Sequence, residues 1–228
     1  MNMICYLKKM EFLLSPSETK VVFDRFSVVV LASALFLGAC VQDRELQSKE
    51  SKLYKPSFAL FGDSISAFWP VEEQFPEFET YKKAFPGRRT YEIQEAAKNE
   101  TGRYRSCMLN GGVNDFLNNF EPTWEEVDAT VERQLKTLEI LNDHCDYIIV
   151  LNVWTVQLPW PVKAASMINL EMKEKVTFLP RIDPEDLIHG EMLLDGGHLT
   201  EEGYGILSQR VREYLRATLP EFWLEFLI

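Results

Sequence analysis

The chain has 228 residues, enough for one domain with a sizeable core. Its 46% hydrophobic and 12% aromatic content excludes a disordered polymer. A net charge of −11 argues against general nucleic-acid binding, which calls for clustered Lys and Arg, and reads as a solvated acidic surface.

Residues 26–39 read FSVVVLASALFLGA and carry no charge. The run is short for a membrane helix and right for the apolar region of a signal peptide. Lys20 and Arg25 supply a positive flank, diluted by Asp24. The run ends Leu37-Gly38-Ala39-Cys40, which is similar to a bacterial lipobox, where the Cys is lipidated and becomes the mature N-terminus. A buried element that happens to end in Cys is the alternative. The expected organisation is a lipoprotein signal peptide over 1–39, a polar tether over 40–56 and one folded domain over 57–228. The leader is long, so the translation start is expected downstream, at Met10 or near Val21. Val41 and Gln42 carry no Asp-type inner-membrane retention signal. The expected location is the cell envelope, lipid-anchored at the outer membrane.

Apolar strand-like runs then alternate with helical ones. A first strand is expected over 57–65 and a loop or short helix over 68–79. A second strand should span 81–85, a helix 90–99 and a third strand 104–110. Val127, Val131, Leu135, Leu138 and Leu141 recur every three to four residues, so 124–141 is an amphipathic helix. YIIVLNV, 147–153, is apolar throughout, as a central strand covered on both faces should be. A helix is expected over 162–175, a short fifth strand over 176–179 and a last helix over 201–217. Thr200 is its expected N-cap. Cys107 falls inside the third strand and Cys145 ahead of the fourth, about four positions apart along the sheet, too far to bridge.

This alternation implies an α/β fold with a parallel sheet covered on both faces. Ligands bind such sheets beyond the carboxyl ends of the strands. Four polar segments stand there: Gly62-Asp63-Ser64, the turn from Pro86 to Thr90, Gly111 to Asp115, and Asp195 to Thr200. Gly-Asp-Ser can be a plain turn or can present Ser64 as a nucleophile, which then needs a base. Of the three His, His198 is the best base, and Asp195 three residues before it can orient its ring. The Asn114 amide and the N–H groups of Ser64 and Gly87 can receive an oxyanion. His144 reads as a helix-end residue. His189 has no Cys or His at ligand spacing, which argues against zinc. Arg88 and Arg89 read as a solvated loop tip. Trp69, Trp154 and Trp160 are candidate cleft walls, with core packing as the alternative for Trp154.

GDSIS, a following glycine, GVND and DGGHLT, in this order, resemble the blocks of the GDSL, or SGNH, hydrolase family. The resemblance runs over about residues 57–217. It implies a three-layer, flavodoxin-like α/β/α sandwich on a five-stranded parallel sheet. It implies Ser64, Asp195 and His198 as catalytic residues, and Ser64, Gly87 and Asn114 as the oxyanion hole. The family needs no metal or organic cofactor. Only Gly87 stands where the family has a longer glycine-rich stretch. The expected activity is hydrolysis of carboxylic esters through an acyl-enzyme. Substrates would be small-molecule, lipid or acylated-sugar esters, with no nucleic-acid partner. Deacetylation of envelope sugars is one alternative; a non-catalytic binding lipoprotein with the same fold is another.

Overall fold

The computed structural model describes residues 55–218; the expected signal peptide, Cys40 and most of the tether lie outside them. Five parallel strands form one sheet: β1 (Ser57–Gly62), β2 (Glu79–Ala84), β3 (Tyr104–Leu109), β4 (Cys145–Leu151) and β5 (Arg181–Ile182), in the order 2-1-3-4-5. The helices between and after them are α1 (Ser64–Phe68), α2 (Val71–Gln74), α3 (Thr90–Lys98), α4 (Trp124–Leu141), α5 (Val162–Lys175) and α6 (Glu201–Thr218). The α/β expectation is met, with the strand order of a flavodoxin-like sheet.

Alternation along β1 builds both cores. Phe58 and Leu60 pack with Trp69, Val71 and Phe75 from α1, α2 and their connections, and with Leu207, Val211 and Leu215 of α6. Ala59 and Phe61 pack on the opposite face with Ile93 of α3, Val127 and Val131 of α4 and Ile168 of α5. Successive strand residues point to opposite faces, so one strand serves two layers of helix. The expected helices over 124–141 and 162–175 match α4 and α5 to the residue. Thr123 caps α4 by accepting from Glu126 N–H, and Glu126 answers at the Thr123 N–H. Thr200 caps α6 as expected, its hydroxyl accepting from Gly203 N–H at 3.1 Å.

The strands depart from the expected bounds: β2 spans 79–84 rather than 81–85, β3 stops one residue early, and β4 starts at Cys145, two residues before the expected start, and ends at Leu151. β1 stops at Gly62 rather than residue 65, because the Asp63 carboxylate accepts from Ile65 N–H at 3.0 Å and starts α1 there. The fifth strand is not at 176–179. It is the two-residue β5, set opposite Val150 and Leu151 of β4.

The two cysteines correct the sequence reading: Cys107 and Cys145 form a disulfide, with Cα atoms 5.9 Å apart. The β3–β4 register sets Tyr104 opposite Cys145 and Cys107 opposite Ile148. In regular strands that three-residue offset would separate the cysteines by about 10 Å. The alternation breaks at this end of the pair, however. Tyr104 and Cys107, an odd number of positions apart, share one core face, and so do Cys145 and Ile148. Cys145 thus shares the face of Cys107, and the 5.9 Å between their Cα atoms shows that the strand starts depart from regular spacing here. Closing a 38-residue separation should stabilise the fold by about 2–4 kcal/mol. Paired urea melts of the oxidised protein and of a Cys107→Ala/Cys145→Ala variant should differ by that amount; coincident melts would show that the link adds nothing.

Candidate active site

The carboxyl ends of β1, β3 and β4 meet at one place. Ser64 opens α1 directly after β1 and is buried. Its Oγ lies 2.8 Å from His198 Nε2. On the other side of the ring, His198 Nδ1 lies 2.7 Å from Asp195 Oδ2. A hydroxyl, an imidazole and a carboxylate thus form one hydrogen-bonded chain across 134 residues of sequence.

The Asp195 carboxylate also accepts from the backbone N–H groups of Gly197 at 3.0 Å and His198 at 2.8 Å. Partial burial pushes its pKa up. The hydrogen bonds from the His198 N–H, the ring and the Gly197 N–H outweigh that and hold it at about 2. An ionised Asp195 facing Nδ1 keeps the ring proton there and leaves Nε2 free to accept from Ser64. That arrangement can take a proton from a hydroxyl as it attacks a carbonyl.

Before the nucleophile, Asp63 is buried. Burial raises its pKa; the Ile65 N–H, the Asn110 amide at 3.1 Å and the nearby His198 oppose the rise. Asn110 also accepts from the Ser66 hydroxyl. Asn110, just past β3, therefore ties both sides of the nucleophile turn. Sequence reading passed over it, since the expected third strand absorbed it as a terminal residue.

Asn114 is buried beside Ser64 and donates from Nδ2 to the Arg88 carbonyl at 2.9 Å. An amide nitrogen carries two hydrogens, so one remains for a ligand oxygen. The Ser64 N–H belongs to the first turn of α1, where helix N–H groups lack an intrahelical acceptor. Gly87 is exposed in the turn after β2 and is not among the residues that line the cavity beside Ser64. It is the neighbouring Arg88 whose backbone meets Asn114, while the Arg88 side chain donates back to the Lys83 carbonyl at 2.8 Å. Asp115 accepts from the Thr90 hydroxyl at 2.6 Å and so ties the β3 loop to the start of α3.

The cavity has a volume of about 20 Å³. Ser64 and Asn114 line it, and Val153, Trp154, Val156 and Trp160 supply apolar wall. Trp160 thus stands where the sequence suggested, and Trp154 meets both of its readings, lining the cavity while buried in the core. Trp69 does not line it: it is fully buried, donating to Ser208 Oγ at 2.8 Å. His198 has aromatic edges on two sides, Phe68 at 5.2 Å and Trp160 at 4.9 Å between ring centroids. His144 bonds the Gly102 carbonyl at 3.0 Å, and His189 is exposed. Among the described residues no group of three His, Cys, Asp or Glu could hold a metal ion.

No family model matches the chain, and no curated protein matches it in sequence. Solved structures do. A GDSL-like lipase from Bacteroides thetaiotaomicron superposes with a TM-score of 0.61 at 17% identity, covering 75% of this chain and 91% of that one. The fold is that of the GDSL-like hydrolases. The lipase/acylhydrolase from Enterococcus faecalis has the same fold at a TM-score of 0.59 and 18% identity, over 71% of this chain and 96% of that one. A carbohydrate esterase family 3 protein from Talaromyces cellulolyticus gives 0.56 and 14%, over 73% and 99%. In the GDSL-like fold of this chain, the segments GDS, GVND and DGGHLT fall after β1, after β3 and before α6.

Proposed function

We propose that this chain is a serine hydrolase of the GDSL/SGNH type that cleaves carboxylic esters with short acyl groups. The observation that carries the reading is the unbroken chain Ser64 Oγ–His198 Nε2, 2.8 Å, and His198 Nδ1–Asp195 Oδ2, 2.7 Å, with Ser64 lining a cavity. Ser64 Oγ attacks the ester carbonyl carbon while His198 Nε2 takes its proton. The carbonyl oxygen becomes an oxyanion held by the Ser64 N–H and the Asn114 amide. The tetrahedral intermediate collapses, the C–O bond to the alcohol breaks, and His198 protonates the departing oxygen. Water then attacks the acyl-enzyme with His198 again as base, releasing the acid and restoring Ser64.

The short-acyl preference rests on size. The cavity is small, about 20 Å³, and forcing extra methylenes into a packed wall costs about 1–3 kcal/mol. This favours acetyl esters, including acetylated envelope sugars, over lipids. The uncharged run ending at Cys40 supports export and lipid anchoring, and a disulfide suits an oxidising compartment.

Hydrolysis of p-nitrophenyl acetate, butyrate and octanoate is the test. Turnover should be highest on acetate, with kcat/KM falling about 100-fold or more by octanoate, in line with that packing cost. Octanoate cleaved as fast as acetate would refute the short-acyl preference. A chain that cleaves none of them and takes no label at Ser64 from a serine-directed phosphonate would be the non-catalytic form of this fold.

A further inference from the structure

The segment after β4, residues 152–161, has two jobs at once. Its Val153, Trp154, Val156 and Trp160 wall the cavity beside Ser64. The same segment holds the Asp195–His198 loop through three consecutive backbone carbonyls. Trp160 Nε1 donates to the Asp195 carbonyl at 3.1 Å, Gln157 N–H to the Gly196 carbonyl at 2.6 Å, and Trp154 Nε1 to the Gly197 carbonyl at 2.9 Å. Two indoles and one backbone amide thus fix the loop that carries the acid and the base.

The fit is close. A Cβ on Gly197 would lie 2.2 Å from the Trp160 ring, and one on Gly196 would lie 2.9 Å from the Gln157 and Leu158 carbonyls. The pair Gly196-Gly197 is there because the clamp presses on the loop backbone. Gly196 also has φ +85°, which a side chain would strain. The segment is anchored from behind: Asn169 of α5 accepts from Val153 N–H at 3.0 Å and donates to the Val153 carbonyl at 2.6 Å.

Of the three donors, Trp160 is in the most telling position. Its ring lines the cavity, meets the His198 ring edge-on at 4.9 Å and bonds the backbone of Asp195. Whatever pushes on the cavity side of Trp160 is felt by the base and by the residue that orients it. Side chains in contact at packed density transmit such a push rather than absorb it.

We propose that Trp160 is a positioning residue that converts acyl length into the alignment of His198. An acyl group that fits leaves the indole bonded to Asp195 and the base 2.8 Å from Ser64. A longer one displaces the indole, and with it the Asp195–His198 loop. Chain length therefore selects through the rate of acylation more than through binding. This rests on the hydrolase reading above, with the cavity taking the acyl side: Ser64 and Asn114 line it, whereas His198, which must face the departing alcohol, does not.

The test is stopped-flow release of p-nitrophenol from the acetate and hexanoate esters, separating the acylation rate at saturation from apparent substrate affinity. The full chain, Trp160→Ala and Trp160→Phe are compared. In the unaltered protein, hexanoate should acylate Ser64 about 30-fold or more slowly than acetate at similar affinity, the scale of loss that misplaced reacting groups bring. Trp160→Ala should shrink that rate ratio about 10-fold or more, because the wall is gone. Trp160→Phe keeps most of the wall and loses the Nε1 donor, so it should keep the ratio while acylation by acetate slows about 10-fold, the size of one lost hydrogen bond. A rate ratio unchanged in Trp160→Ala, or discrimination lying in affinity alone, would overturn the proposal. Should Trp160→Ala fail to fold, Trp160→Phe decides: acetate acylation at the unaltered rate is the overturning result. Absence of any p-nitrophenol release from the unaltered protein, together with no phosphonate label at Ser64, would instead reject the hydrolase reading itself.

Discussion

Ser64→Ala is expected to lower kcat/KM on p-nitrophenyl acetate by about 10⁴–10⁶-fold while leaving the thermal melt close to that of the unaltered protein. The hydroxyl is the only group the variant lacks, and among the described residues its hydrogen bond is to His198 Nε2. Asp195→Asn should approach the same loss, about 10⁴-fold, for a different reason. The Asp195 carboxylate accepts from three donors: the N–H groups of Gly197 and His198 and the ring Nδ1–H. An amide has one oxygen, so its NH₂ must face either the backbone donors or the ring. Facing the ring, it moves the ring proton to Nε2, and His198 can no longer accept from Ser64. With its pKa lowered to about 2, Asp195 is ionised in the fold throughout the range above pH 4. Its contribution to stability is fully present above its unfolded value near 3.8 and is lost as pH falls through about 2. A fall in activity anywhere above pH 4, measured as a kcat/KM profile, therefore comes from another group. Asp195→Asn retaining more than a tenth of the activity would remove Asp195 from the mechanism.

Much of this site could be read from sequence because each part has local chemistry. Asp63 caps the helix that Ser64 begins, Asp195 sits within reach of its own loop's N–H groups, and Thr200 caps α6; each is a contact of two or three residues. The amphipathic period of α4 and the apolar run of β4 are equally local. What escaped depends on partners far away in sequence. β5 is two residues long and is selected by its pairing with Val150 and Leu151, not by its own composition. The disulfide depends on where two strands cease to be regular, and no propensity reports that. Asn110 looked like the end of a strand and acquires its role only by meeting Asp63 and Ser66, more than 40 residues away. Gly87 is the one glycine the sequence offers between β2 and α3, yet the chain there meets the site through the Arg88 carbonyl.

Gly62→Ala should be the most damaging single methyl in the domain, costing about 2–4 kcal/mol of stability. The added Cβ would lie 2.0 Å from Asn110 Oδ1 and 3.1 Å from the Asn110 backbone carbonyl. Asn110 cannot swing aside freely. It is buried, it accepts from the Ser66 hydroxyl, and it donates to Asp63 at 3.1 Å. Moving it strips a hydrogen bond from a buried carboxylate. Burial already raises the Asp63 pKa, so ionising Asp63 counts against the fold as pH rises past the unfolded value near 3.8. The bonds from Ile65 N–H and Asn110 are what limit that cost. The variant should therefore lose more stability at pH 7 than at pH 4, with a melting temperature lower by about 5–15 °C at neutral pH. Activity should fall further than stability accounts for, by about 100-fold at a temperature where the protein is still folded, because the same network fixes the turn that presents Ser64. Calorimetry and kcat/KM on one preparation give both numbers, and Asn110→Ala in the Gly62→Ala background gives the control. Removing the clashing amide should recover part of the lost stability and none of the lost activity. Recovery of both would mean that Asn110 only fills space, and the turn would then owe its shape to Asp63 and Ile65 alone.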